Sequence, residues 1–217
     1  MEQFYQLLFR QLDAFYFLDS KEQECLCLYK DVINQRFLHN CSHLQNKYYA
    51  DINNLSCYHA CQYLMFLYFC ANTIFKHQGR CNLCDKIYNL SKMVSGADIY
   101  YEIDLPSVFM LDHPVGTVLG RAQYGNYFSF SQNCTVGNNN GLYPKFGDFV
   151  TLHTHCVVVG NCEIGSNVII SANTYIKDKH IPSNSLVFND YSQKNGLVIK
   201  EISPEKVKSL FESKFKK

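Results

Sequence analysis

The 217-residue chain is 47% hydrophobic and carries 20 Lys+Arg against 19 Asp+Glu, a formal charge of +1. That is enough apolar material to bury a core, and so balanced a charge gives no electrostatic reason to expect nucleic acid or an acidic membrane as partner. Charged residues are only 18% of the chain, a composition that leaves surface to be covered by other subunits.

The first half reads as helix. Over residues 4–18 apolar groups recur at Phe4, Leu7, Leu8, Leu12, Phe15 and Leu18, which is helical spacing. Charges run through the same stretch, so it is not expected to act as a secretory leader. Residues 56–75 predict a second helix, N-capped by Ser56, apolar almost all round as a buried helix is, and stopped by Gly79. Its richest run, "CQYLMFLYFCANTIF", contains Gln62 and Asn72 and is too short to span a membrane. A further helix covers Cys84 to about Val94 and ends at Gly96. The eleven cysteines are read as small apolar side chains of a cytoplasmic protein.

Then the period changes. Positions 124, 130, 136, 146, 152, 158, 164, 170 and 176 are Tyr, Phe, Val, Phe, Leu, Val, Ile, Ile and Ile. The sixfold step breaks once, where four extra residues enter within "GNNNGLYPKFG". Four places after the inward position the residue is small or β-branched, as at Cys134, Val150, Cys156, Cys162, Val168 and Thr174. Neither a helix (period 3.6) nor a strand (period 2) produces this. Six residues per side of a triangular coil does, so the pattern predicts a parallel β-helix whose stacked coils share one core. Leu105 and Leu111 keep the step upstream, and the frame slips near Thr117–Leu119. After about Tyr191 the chain turns polar, and Ser203-Pro204-Glu205 opens a short basic helix, solvated or packed on another subunit. The fold expected is α+β: a helical domain over 1–97, a β-helix over 98–190 and a tail with a short helix over 191–217.

Three segments, "YHACQYLMFLYF", "SGADIYYEIDLPSVFMLDHPVGTVLG" and "PKFGDFVTLHTHCVVVGNCEIGSNVIISANTYI", resemble serine acetyltransferase and its hexapeptide-repeat relatives. The likeness runs from about Tyr58 to Phe188 and is most specific in the spacing between Asp98-Ile99 and Leu111-Asp112-His113. It implies a left-handed β-helix, acetyl-CoA as co-substrate, and His113 as general base, with Asp98 orienting it and Asp112 contacting the acceptor. The chemistry is sound on its own terms. An alcohol attacking a thioester needs a base within hydrogen-bond reach, imidazole titrates in the right range, and a carboxylate on its other nitrogen fixes the tautomer. The resemblance further implies a homotrimer, or a dimer of trimers joined through the helices, with the pantetheine arm in a groove between two β-helices. Gly137, His153, Gly160, Ser171 and Ala172 are the positions expected to line it, small residues letting a cofactor approach the backbone.

The chain departs from the family at the inserted loop. An Arg-His pair that grips the amino-acid carboxylate is replaced by Leu142-Tyr143 before Pro144-Lys145. Losing charge-assisted contacts worth roughly 1.5–3 kcal/mol each argues for a sugar or glycan hydroxyl as acceptor, met by Tyr143 and Lys145, with Asp51 as the upstream acceptor aspartate. The chain ends in Lys216-Lys217, so docking to cysteine synthase is not expected. His153 and His155, at i and i+2, face one side of a strand and raise a zinc reading of the β-helical carbonic anhydrase kind. No third ligand is evident and no metal is expected. Cys81 and Cys84 form a lone CxxC, and Cys57 and Cys61 sit a helical turn apart; both pairs are read as structural. Serine O-acetyltransferase and a non-catalytic β-helical assembly subunit stay open as alternatives to the glycan enzyme.

Overall fold

The computed structural model describes residues 1–192 and 196–216. Five helices come first: α1 (Glu2–Phe15), α2 (Ser20–Leu28), α3 (Lys30–Ser42), α4 (Ala60–Gln78) and α5 (Asn82–Ser95). α1 buries Phe4, Leu8 and Leu12 and stops at Tyr16, short of Leu18, where the backbone turns extended. α2 opens with a capping box, Asp19 accepting from Glu22 N at 2.8 Å and Glu22 from Asp19 N at 3.1 Å. α4 is the central helix, buried from Gln62 to Ile74. Ser56 does not cap it: Ser56 N donates to Gln62 Oε1 at 2.7 Å, and His59 holds the cap position. Gly79 and Gly96, both at positive φ, end α4 and α5 as expected.

From Asp98 onward the chain winds into a left-handed parallel β-helix of about five turns. Sheet I holds β1 (Asp98–Ile99), β3 (Val118–Leu119), β5 (Thr135–Gly137), β8 (Val157–Val159) and β11 (Tyr175–Lys177). Sheet II holds β2 (Phe109–Leu111), β4 (Phe128–Phe130), β7 (Val150–Leu152), β10 (Val168–Ile170) and β13 (Ser185–Asn189), edged by an antiparallel β14 (Leu197–Glu201). Sheet III holds β6 (Lys145–Phe146), β9 (Glu163–Ile164) and β12 (His180–Ile181). The sixfold positions pair with one another in register: Phe130 with Leu152 and Ile170, Val136 with Val158 and Ile176, and Phe146 with Ile164. Every one of them is buried.

Corners need a left-handed residue at each turn, and Asn tolerates that conformation better than most. Asn133, His155 and Asn173 stack at the corner from sheet II to sheet I, all at positive φ. Gly116 begins this stack, at φ +74, where an added Cβ would lie 2.1 Å from Asn133 Oδ1. The first coil reaches the same corner with five residues, 112–116, where the next three use 131–133, 153–155 and 171–173. Those two additional residues cause the frame slip near Thr117–Leu119, and His113 is in them.

The helices and the first coil share one hydrophobic core. Buried Asn40 Oδ1 accepts from Phe109 N at 2.8 Å, and Tyr68 OH donates to Ile103 O and accepts from Leu105 N, each at 2.9 Å. The tail helix α6 (Pro204–Glu212) begins at Ser203 as expected. It packs on its own β-helix, with Phe211 against Phe149 and Phe215 against Tyr127, each at 5.3 Å between ring centroids. Residues 214–216 then pair with 43–45: Gln45 N donates to Lys214 O, and Lys216 N to His43 O, both at 2.7 Å. The tail closes the chain on itself.

Asn40→Leu is expected to strand the Phe109 N–H and cost about 1–3 kcal/mol, read as a lower midpoint in urea denaturation. Ile199→Leu, on the partly exposed β14, is expected to stay within about 0.5 kcal/mol.

Candidate functional site

Asp112 and His113 leave sheet II on the enlarged corner. Asp112 N still donates to Phe130 O at 3.0 Å, whereas His113 sits at φ 49 with its side chain 84% exposed. Its Nε2 lies 3.8 Å from Asp112 Oδ1. The corner faces the start of α4. Cys61 has its thiol pushed up chiefly by burial, with the His113 backbone opposing and Asp112 adding to the shift. His59 is held below the ordinary imidazole value by burial, and the charge of His113 acts in the same sense.

Asp98 does not reach the ring. Its Oδ1 accepts from Tyr88 OH at 2.5 Å and its Oδ2 from Lys92 Nζ at 2.7 Å. These two donors lie one helical turn apart on α5, so a single carboxylate spans them. No bond joins Asp98 to His113 among the described residues, and the expected orienting pair is absent from the single chain. Asp51 is likewise engaged locally, accepting from Asn53 N, Asn53 Nδ2 and Asn54 Nδ2 as the cap of a short 3₁₀ turn.

The positions expected to line a cofactor groove divide between two corners. His153, Ser171 and Ala172 lie on the same corner as His113, on later coils. Gly137 and Gly160 lie at the opposite edge of sheet I, where Asp178 Oδ1 would meet a Cβ on Gly160 at 2.0 Å. Tyr143 and Lys145 follow that second corner: Pro144 O accepts from Gln123 N at 3.0 Å, and Lys145 Nζ lies 4.0 Å from Glu163 Oε1. Within the chain, then, Asp112 and Tyr143 belong to different edges. Among the described residues no group of three His, Cys, Asp or Glu is placed to hold a metal ion. All eleven cysteines are free thiols, Cys81 and Cys84 with sulfurs 3.4 Å apart.

The bacterial transferase hexapeptide (six repeats) family matches residues 143–178. The chain carries hexapeptide repeats and is similar to serine acetyltransferases. The serine acetyltransferase of Staphylococcus aureus (strain Mu50) is 29% identical over 106 residues, 46% of this chain and 49% of that protein. The chain thus spans about half the length of the curated relatives it matches. Among solved structures, the serine acetyltransferase of Neisseria gonorrhoeae in complex with serine has TM-score 0.65 at 23% identity, over 83% of this chain and 72% of that one. Serine acetyltransferase isoform 3 of Entamoeba histolytica, in complex with cysteine, has TM-score 0.63 at 23% identity, over 95% and 74%. Likeness at this identity fixes the fold.

Three residues near the site gave no signal in the hexapeptide pattern. Arg121 pairs with Glu102 at 3.1 Å, and its pKa is raised by Glu102 and then Tyr143, so a cation does stand beside the inserted loop. Tyr49 is 3% exposed, and its hydroxyl has no hydrogen-bond partner among the described residues. Lys214 lays its ammonium on the outer face of sheet II, donating to Ser129 Oγ at 3.1 Å and Thr151 Oγ1 at 3.2 Å. Burial lowers its pKa to about 8, opposed by the charge of Asp112.

A lysine depressed below its ordinary 10.5 binds its proton less tightly folded than unfolded. The fold therefore gains stability as pH rises from about 8 towards 10.5 and bears the full cost below that window. In ¹³C-dimethylated protein one lysine resonance should titrate near pH 8 and vanish in Lys214→Met.

Proposed function

We propose that the chain is an acetyl-CoA-dependent O-acetyltransferase of the serine acetyltransferase type, with His113 as general base and serine as the first acceptor to test. One observation carries this reading: the enlarged corner that lifts Asp112-His113 out of an otherwise regular coil. A β-helix gains no stability from two extra corner residues and an exposed imidazole, so a working site is what such a departure accommodates. Support for serine comes from the names of the relatives at 29% identity. The glycan acceptor drew on a missing cation near Tyr143, and Arg121 weakens that argument.

In the proposed step the acceptor hydroxyl gives its proton to His113 while its oxygen attacks the thioester carbonyl. The tetrahedral intermediate then expels the coenzyme A thiolate, which takes the proton back from the imidazolium. Products are the O-acetyl ester and free coenzyme A. Asp112, 3.8 Å from Nε2, is the carboxylate beside the ring; Asp98, on β1, ties the first coil to Tyr88 and Lys92 of α5.

A homotrimer fits the outer face of sheet I. Val118 and Tyr175 are 42% and 52% exposed there, with Val157 and Val159 half-buried between them. The outer face of sheet III instead carries Lys145, Glu163 and His180. Packing sheet I around a threefold axis sets the His113 corner of one protomer against the Tyr143 corner of the next. A heterologous contact of this kind closes into a ring.

His113→Gln is expected to lower kcat/KM for thiol release from acetyl-CoA with L-serine by about 10²–10⁴-fold, with the melting temperature unchanged because the ring is exposed. A variant that keeps its rate removes the base. Val157→Glu should lower the mass by light scattering to that of one chain and reduce activity with it; a fully active monomer overturns the shared site.

A further inference from the structure

We infer that Lys214, brought by the C-terminal tail to the outer face of sheet II, is the cation that receives the carboxylate of an amino-acid acceptor beside Asp112. The inference rests on the proposed function and adds the residue that would select an anionic acceptor.

Its basis is an ammonium held in a largely buried place with too few partners. Lys214 Nζ has three donors, and its hydrogen bonds go to two neutral hydroxyls, Ser129 Oγ and Thr151 Oγ1. Those hydroxyls already bond each other at 2.8 Å. No carboxylate lies within ion-pair distance of Nζ among the described residues. A buried charge of this kind is costly unless it is paired, and a bound carboxylate supplies the missing partner.

The surroundings agree. Sheet II alternates inward and outward, so Met110 and Asp112 flank inward Leu111 on the first coil as Thr151 and His153 flank inward Leu152 on the third. The charge of Asp112 acts on Lys214, and that of Lys214 on His153. Tyr49, on the helical side, keeps a buried hydroxyl without a partner among the described residues and feels the charge of Asp112. Asp112 and Lys214 thus offer one negative and one positive group on one face, complementary to a small zwitterion. The tail is fastened on both sides of Lys214. Lys214 O accepts from Gln45 N, Lys216 N donates to His43 O, and Lys216 Nζ donates to Tyr49 O at 3.1 Å.

The test compares binding of L-serine and L-serinamide to the whole protein by calorimetry, alongside initial rates. Lys214→Met should weaken L-serine at least 10-fold in both Kd and KM and leave serinamide and acetyl-CoA unaffected. Lys214→Arg should restore part of the loss. Equal weakening of serine and serinamide, or no weakening of serine, overturns the assignment, as does wild-type protein that binds neither. Carboxylate-dependent binding lost in Lys214→Met without any acetyl transfer would keep Lys214 as the anion group and remove the transferase reading. Should Lys214→Met unfold, Tyr49→Phe with Lys214 intact must leave the serine-over-serinamide preference in place, and its loss would count against Lys214.

Discussion

Coil-on-coil stacking of inward side chains governs this molecule. Phe130, Leu152, Ile170 and Val187 form one column, and Val136, Val158 and Ile176 another. Each residue is held by the ladder hydrogen bonds of its own strand and by the side chain above and below. A parallel sheet cannot slip its register here without turning an apolar column outward, because side chains alternate at every residue. That constraint leaves the corners as the place where the chain can vary. A corner can lengthen without disturbing either flanking strand, provided the residues at both ends return to the columns.

Two corners use that freedom. The first coil adds two residues between Leu111 and Thr117, and the second coil adds the loop between Gly137 and Lys145. Both bound sheet I, whose outer face carries partly exposed Val118, Val157, Val159 and Tyr175 alongside Asp98 and Lys177, whereas sheet II is covered by the tail and sheet III carries Lys145, Glu163 and His180. The residues of the proposed site therefore lie at the two edges of the face proposed for trimer packing. Under the proposed trimer the spread of Asp112 and Tyr143 within one chain follows, because a site between subunits would be divided between edges.

The inward columns were legible because burial imposes a period, and a period survives in a single sequence. The enlarged corner was legible in part. His113 stood out through Asp112 and the spacing to Asp98, yet that spacing did not reveal that Tyr88 and Lys92 of α5 hold the Asp98 carboxylate. Spacing along the chain reports separation in residues, and α5 approaches β1 from outside the repeat. Ser56 failed as a cap for a related reason, since Gln62 reaches back to its amide and moves the helix start to Ala60. Lys214 could not be found at all, because nothing in "ISPEKVKSLFESKFKK" ties it to Ser129 or Thr151, 85 and 63 residues away.

Why the tail returns to the helices follows from the shape of the β-helix. Its axial ends cannot both be capped by coils, and its first coil must bury Phe109 and Leu111 against something that is not another coil. α3 and α4 do this, using Asn40 and Tyr68 to meet backbone groups that a preceding coil would otherwise have met. Rigid-body drift between the helices and the coils would break those bonds together. The Leu44–Phe215 bridge opposes that drift from the far side of the β-helix sequence, with α6 anchored on Phe149 and Tyr127. Sheet II therefore ends between two fixed walls, helices on one side and tail on the other. In such a setting an ammonium can be kept largely out of water, since the walls and not the charge supply the stability that holds it there.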